Sequence, residues 1–447
     1  MPHKVKGYYQ LIPEKVLKDL PVIESLLRPE IKGYCQDYLK EVISIVACHV
    51  QKDSEETPLK MTYIKKIVPQ GDKYLKGLIE LEIIKRSGTA IIGETSYKYS
   101  FTPEYKSNFL PVPLNNQKLI RRIERAGDEL RKEAAKSIRT HSEQVKFLKQ
   151  LSIDENYTEV LKSSYAEGTD QYNFILASAT RIINEDIYYI RDNTSGRFHS
   201  NVTNLAKGLR PYLRVKGQPL VNADVKNSQP YLSTIILTNP SKVSCMTENP
   251  AFALLLQTLK VSLNEDVKNY ISLVVSGQLY EYLMKEFELT RDETKVQVLR
   301  ILFARNRMPK DGINRKCRMI FKKRFPTVYR IFNKVRGNAK GDKFHSFKRF
   351  AILLQRVEAY LMLDVILKRI YKELPGTVAI TIHDSIMTGI LTDNVNAVRK
   401  IMVEELTKFT GFRPQIKIED NREILRKIKR EEHYIKQYGA TNSVTLN

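Results

Sequence analysis

Apolar and polar positions divide the chain into stretches of different period. Residues 1–57 carry a helical pattern and little else. Thr62–Val68 and Lys73–Leu81 read as short amphipathic helices. Beyond Glu82–Arg86, a Ser87-Gly88 turn leads into Thr89–Ile92, Gly93 breaks the run, and Ser96–Phe101 alternates. Helix, helix and hairpin in that order predict a winged-helix-like module, with Lys73 and Lys76 offered to a groove and the Gly88 wing to a backbone. A small α+β packing domain with no nucleic-acid contact has the same pattern. Pro111 and Pro113 mark a linker. After it, Leu119, Ile123, Ala126, Leu130, Ala134 and Ile138 recur every three or four residues and predict a long amphipathic helix. Its other face carries Arg121, Arg122, Arg125, Arg131 and Lys132, by default a solvated basic face and in a sharper reading a rod along a duplex. Helical patterning continues through Tyr172–Arg191.

The second half is more pointed. Leu220–Val225 is an apolar run carrying one aspartate, Asp224, and hydrophobicity resumes at Tyr231–Leu237 after a polar turn. Val378–Ile386 reads as a buried strand interrupted by His383-Asp384. Between them lie a helix at Arg291–Phe303, a stretch dense in Lys and Arg at 304–350, and a helix at Phe350–Leu374 carrying Gln355 and Glu358 among leucines. Asn394–Gly411 reads as an amphipathic helix, Pro414–Ile418 as a short strand and 421–447 as a charged tail.

Composition narrows the class. The 447 residues are too many for one small core, so two or three domains are expected. A hydrophobic content of 42% indicates a folded chain, and no apolar window is long enough for a membrane span. The first residues lead into no apolar core of a secretory signal. The four cysteines form no CxxC pair, which speaks against a zinc site or a disulfide framework and fits a reducing, cytoplasmic setting. The net charge of +24 points to a polyanionic partner, because each neutralised phosphate releases counterions.

Acidic residues tend to be excluded from apolar strands, since an unpaired buried carboxylate is expensive. Two strands that each deliver one, Asp224 and Asp384, suggest a pair meeting around a cation. Mg²⁺ suits hard carboxylate ligands completed by phosphates, and two such ions about 4 Å apart would clamp both oxygens of a nucleotidyl transfer. Two aspartates capping turns are the plainer explanation. On a helix, Arg291, Lys295, Leu299 and Phe303 form one slowly spiralling lane. Two cations for a triphosphate, followed by apolar and aromatic surface for sugar and base, make a sensible nucleotide-binding helix. An amphipathic helix with solvated cations looks the same in isolation, and Gln355 could equally be a satisfied core polar group.

In this order the pieces resemble family A DNA polymerases and their relatives, the single-subunit phage-type RNA polymerases, across residues 193–420. Ser195-Gly196-Arg197 with Asn204-Leu205 is similar to the TGR…NL element, whose arginine and asparagine touch the primer-template. Asp224 falls at the motif A metal-binding aspartate, with the Val225 carbonyl as backbone ligand. Arg291, Lys295 and Phe303 match the R-x3-K-x7-[YF] spacing of motif B. Phe325-Pro326 and Gln355 fall at a YP-like turn and a primer-template glutamine, and His383-Asp384 matches the HD of motif C.

The resemblance implies an α+β right-hand fold: a palm built on antiparallel sheet, helical fingers and thumb, and a small N-terminal winged-helix-like domain. The domains would be 1–110 accessory, 111–192 thumb-like, 193–420 palm and fingers, and 421–447 tail. It further implies Mg²⁺, with Mn²⁺ as a substitute, at Asp224, Val225 and Asp384. Nucleotide would meet Arg291, Lys295, Leu299, Phe303 and Gln229; primer-template DNA would meet Arg197, Asn204, Gln355 and His383. Gln229 stands where these DNA polymerases usually carry Glu beside the sugar 2′ position, and Ser385 follows the HD as in the RNA enzymes. Phe303 lacks the hydroxyl associated with ribonucleotide preference, so sugar choice leans to DNA. No acidic pattern of a proofreading exonuclease precedes the core. An enzyme so stripped would suit a phage or other mobile element, acting in the host cytoplasm. The rivals are an RNA polymerase on the same core and a nucleic-acid-binding replication or defence protein without turnover.

Overall fold

The computed structural model describes residues 8–49, 56–89, 96–137, 142–304, 308–310, 312–337, 348–389 and 393–419, apart from the side chains of 130–137 and 393. The charged tail, most of the Thr89–Ile92 run, the outer half of the basic helix face and part of the 304–350 stretch lie outside them. The architecture is α+β, its paired strands all antiparallel. No helix among the described residues is long and apolar enough to cross a membrane. The chain forms two compact units, one from residues up to Ile190 with His199–Pro219, the other from Arg191–Phe198 with Leu220–Asn421.

The first unit opens with β1 (Tyr8–Pro13), α1 (Glu14–Leu27) and α2 (Gln36–Cys48). β2 (Thr57–Pro58), α3 (Met61–Ile67), α4 (Gly71–Glu80), β3 (Ile84–Ser87) and β4 (Lys98–Phe101) follow. β2, β4 and β3 form a three-stranded sheet beside the two helices, and Lys73 and Lys76 are exposed on α4. Then come β5 (Phe109–Leu114), α5 (Gln117–Ser137), α6 (Ser142–Leu148), β6 (Leu151–Ile153), α7 (Tyr157–Ser164) and α8 (Asp170–Ile183).

Three expectations fail here for physical reasons. Pro111 and Pro113 lie not in a linker but within β5, paired to β1 in register Pro111↔Leu11 and Pro113↔Tyr9. In a two-stranded ribbon every strand is an edge, and an edge tolerates residues without an N–H. β1 itself read as helical, because its partner lies far along the chain and strand formation depends on that partner. Helix α8 stops at Ile183, and Tyr189–Arg191 is strand β7 instead of continued helix. Strand β8 (Phe198–Ser200), α9 (Asn201–Asn204) and β9 (Leu213–Val215) follow, with β9 paired to β6.

The second unit is organised on β10 (Gln218–Val225), whose Leu220–Val225 portion is flanked on both sides. Leu220, Val221, Ala223 and Val225 are buried, which accounts for the apolar character of this stretch around Asn222 and Asp224. Helices α10 (Ser228–Thr238), α11 (Pro250–Thr258), α12 (Glu265–Val275), α13 (Leu279–Phe287), α14 (Arg291–Phe303), α15 (Gly312–Arg324) and α16 (Pro326–Arg336) come next. α17 (Arg349–Ala359) passes through a π-helical segment at Tyr360–Ile366 into α18 (Leu367–Glu373). The unit closes with β11 (Ala379–Ile382), β12 (Ser385–Gly389), α19 (Asp393–Thr410) and β13 (Ile416–Glu419). The Val378–Ile386 stretch is therefore a hairpin and not one interrupted strand: Ile382 pairs with Ser385, and His383 takes a left-handed φ of 53° to reverse the chain. An aromatic core of Tyr270, Phe321, Phe325 and Phe332 packs the helical part, with ring centroids 5.1 to 6.1 Å apart.

Candidate active site

The register of two strand pairs builds the centre. β12 lies against β10 with Asp224 opposite Ser385, the residue after Asp384. The Val225 N–H donates to the Asp384 carbonyl at 3.4 Å, while Asp224 faces Lys417 of β13 on its other side. Both aspartates are half-buried. Thus the end of β10 and the tip of the β11–β12 hairpin come together, bringing Asp224, Val225, His383 and Asp384 into one place. Burial pushes the Asp384 carboxyl above its ordinary range, opposed by a backbone hydrogen bond, by the charges of Arg197 and Lys295, and by the Ser228 hydroxyl. A small cavity there is lined by Val225, Ser228, Tyr231, Glu358 and Asp384, among others.

Arg197 reaches the same place from a tight turn. The Asp192 carboxylate accepts from Thr194 N at 2.9 Å, Ser195 N at 2.6 Å, Ser195 Oγ at 2.6 Å and Arg197 N at 3.2 Å. Gly196 sits at a φ of 71°, a conformation other residues adopt only with strain. The Arg197 guanidinium donates to Glu358 through Nε at 2.8 Å and Nη2 at 2.6 Å. Gln229, in the first turn of α10, donates through Nε2 to the other Glu358 oxygen. Glu358 is 2% exposed. Its carboxyl is raised by burial and by the Asp384 charge, and held down by Arg197 and Gln229.

The α14 lane faces away from its core. Thr294, Gln297, Val298, Ile301 and Leu302 are buried, Arg291 and Lys295 exposed, Leu299 and Phe303 half-buried. Phe303 contacts the Phe350 ring at 6.1 Å. A capping box fixes where the helix begins: the Glu293 N–H donates to Thr290 Oγ1 at 3.4 Å and the Thr290 N–H to Glu293 Oε2 at 3.0 Å. The Arg291 guanidinium bonds Glu281 at 3.2 Å and lies 5.7 Å from the Tyr280 ring centroid. Burial pushes the Tyr280 hydroxyl up to about 12, with the fields of Arg291 and Asp384 acting on it in opposite senses. Arg197 and Lys295 therefore act on Asp384, and Arg291 acts on Tyr280, which also feels the Asp384 charge.

Two further expected residues have surroundings of their own. Gln355, one turn before Glu358 on α17, is half-buried and makes no side-chain hydrogen bond among the described residues. Asn204 belongs to the first unit, where it is exposed and donates to the Tyr188 hydroxyl at 2.6 Å.

Glu358, Ser228 and Tyr280 were not singled out as site residues in the sequence. A signal existed for Glu358: an acid on the core-facing side of a helix, between Leu354 and Leu361, demands a partner. The Thr290-x-x-Glu293 capping signature was equally present. Among the described residues no group of three or more His, Cys, Asp and Glu side chains has the arrangement of a metal site. The carboxylates of Asp224 and Asp384 are hard oxygen donors, of the kind that Mg²⁺ takes together with water and phosphate.

No protein-family model matches the chain, and no curated protein matches its sequence. Among solved structures, the POL domain of Pol1 from M. smegmatis, in complex with DNA primer-template and dNTP, is similar at 11% sequence identity and a TM-score of 0.31. The match covers 92% of this chain and 66% of that one, so the chain spans just under two thirds of its length. A likeness of that quality identifies neither a family nor an activity.

Proposed function

We propose that the chain is a template-directed nucleotidyltransferase, a DNA polymerase of the family A type without a proofreading exonuclease. Residues 193–420 would supply palm and fingers, 111–192 a thumb-like region and 1–110 an accessory domain. The observation that carries this reading is the β10–β12 register, which delivers Asp224 and Asp384 from distant parts of the sequence to one spot. That is the arrangement motifs A and C require. The charges of Arg197 and Lys295, felt at Asp384, add the cationic side of such a site.

The reaction joins a primer 3′-oxygen, its hydroxyl proton passing to water, to the α-phosphorus of a nucleoside triphosphate and breaks the bond to the α–β bridging oxygen, releasing pyrophosphate. Asp224, Asp384 and the Val225 carbonyl would hold Mg²⁺ or Mn²⁺, which when bound supplies Lewis-acid and charge-neutralising chemistry. Arg291 and Lys295 bind the triphosphate and offset charge on the departing pyrophosphate. Leu299 and Phe303 offer surface to base and sugar, and Gln229 restricts the 2′ position. Arg197, Asn204, Gln355 and His383 orient the primer-template.

The test is extension of a labelled primer-template with dNTPs and rNTPs in parallel, alongside Asp384→Asn. Extension with dNTPs, lost in the folded variant, is expected. Activity surviving in Asp384→Asn refutes the assignment. Products from rNTPs would move the enzyme to the RNA-polymerase branch, the reading Ser385 favours, and binding without any product would make it a non-catalytic nucleic-acid-binding protein.

A further inference from the structure

Glu358 is buried at the last turn of α17 with both carboxylate oxygens committed. Oε1 accepts both bonds from Arg197, and Oε2 accepts from Gln229 and lies 3.4 Å from the Ser228 hydroxyl. A carboxylate filled by a guanidinium and an amide has little left to offer a cation, so its effect is on its partners. Those partners are placed independently: Arg197 ends the Asp192 turn, and Gln229 begins α10. Arg356, two residues before Glu358, also grips the turn, donating through Nε to the Thr194 carbonyl at 2.7 Å. α17 thus holds the Arg197 turn at two points and the Gln229 amide at a third. Gln229 Oε1 is buried with no hydrogen-bond partner, so among the described residues Glu358 alone decides which way that amide faces.

We propose that Glu358 is a positioning residue that couples Arg197 to Gln229, so that grip on the primer and choice of sugar are set by one carboxylate. This deepens the polymerase reading and rests on it. Glu358→Gln keeps the shape, removes the charge that holds Arg197, and lets the Gln229 amide turn over, because its buried Oε1 can then accept from the new amide.

The measurements are steady-state primer extension, giving KM for primer-template, kcat, and the dNTP-to-rNTP ratio of kcat/KM. In Glu358→Gln the primer-template KM rises about tenfold and the ratio shifts about tenfold, the loss of one charge-assisted bond in each. Gln229→Ala, which leaves the ion pair in place and puts folding less at risk, raises the primer-template KM as well, although Gln229 lies on the sugar side. The double variant discriminates no differently from Glu358→Gln alone, as one coupled unit requires. Unchanged KM and ratio in both single variants, or effects that simply add, overturn the coupling, as does a lowered melting temperature accompanied only by reduced kcat. A wild-type protein that extends normally beside an indistinguishable Glu358→Gln refutes the coupling alone. A wild-type protein that makes no product refutes the polymerase reading and the coupling with it.

Discussion

Stability of the first unit should depend on pH through a buried carboxyl and a half-buried imidazole that oppose each other. Glu41 on α2 is 4% exposed, and burial pushes its carboxyl from 4.5 up to about 7 despite a 2.8 Å hydrogen bond from Gln10 Nε2. His49, just past the same helix, is held down from 6.5 to about 4 by burial and by the charge of Arg181. For Glu41 the folded state binds the proton more tightly, so stability present below pH 4.5 is lost as pH rises to about 7. At 1.36 kcal/mol per unit, the loss is about 3 kcal/mol. For His49 the unfolded state binds the proton more tightly, so about 3 kcal/mol is gained as pH rises from about 4 to 6.5. The two nearly cancel between pH 4.5 and 6.5, and the wild-type profile of this unit should be close to flat there. Glu41→Gln removes one partner without changing the shape. Its unfolding free energy, from urea titrations followed by circular dichroism at several pH values, should climb by about 3 kcal/mol across that window. Parallel profiles for wild type and Glu41→Gln would show that the carboxyl is not titrating as its burial demands.

Two further outcomes test the helix proposed to bind nucleotide. Lys295→Ala should lower kcat/KM for the incoming nucleotide by about 10–100-fold, the worth of one charge-assisted contact, while primer-template affinity by fluorescence anisotropy stays near wild type. Thr290→Ala should cost about 1 kcal/mol by breaking the cap at the start of α14, and Thr290→Ser should restore most of it in thermal denaturation.

Several elements of the second unit are legible in the sequence because their determinants are local, although the pattern singles out none of α11, α12 and α13. The helix at Arg291–Phe303 ends where its apolar period ends, and its lane emerges on the side that α14 does not bury. What the sequence hid were relationships set by distant partners. The two prolines of β5 signal a break when read alone; only β1 supplies the ribbon edge that tolerates them. His383-Asp384 interrupts an apolar run, but the left-handed turn that makes it a hairpin tip depends on Ile382 and Ser385 pairing with each other. Glu358 shows the limit most clearly. Its helix is readable, but its partners Arg197 and Gln229 lie on two other elements far along the chain.

That pairing changes the charge balance of the site. Arg197 and Glu358 pair at 2.6 Å, which fixes the guanidinium in place and offsets part of its charge toward an incoming triphosphate. Arg291 is also engaged, with Glu281, but exposed, so water screens that pair and a phosphate can compete for it at little cost. Lys295 is exposed on the same lane. Two lane cations therefore stand against Asp224 and Asp384, a balance already near zero before any substrate arrives. A nucleoside triphosphate would add about four negative charges, which two side chains cannot offset in a partly desolvated site. On the polymerase reading, the remaining positive charge has to enter with the nucleotide, and divalent cations carried on its phosphates meet that need.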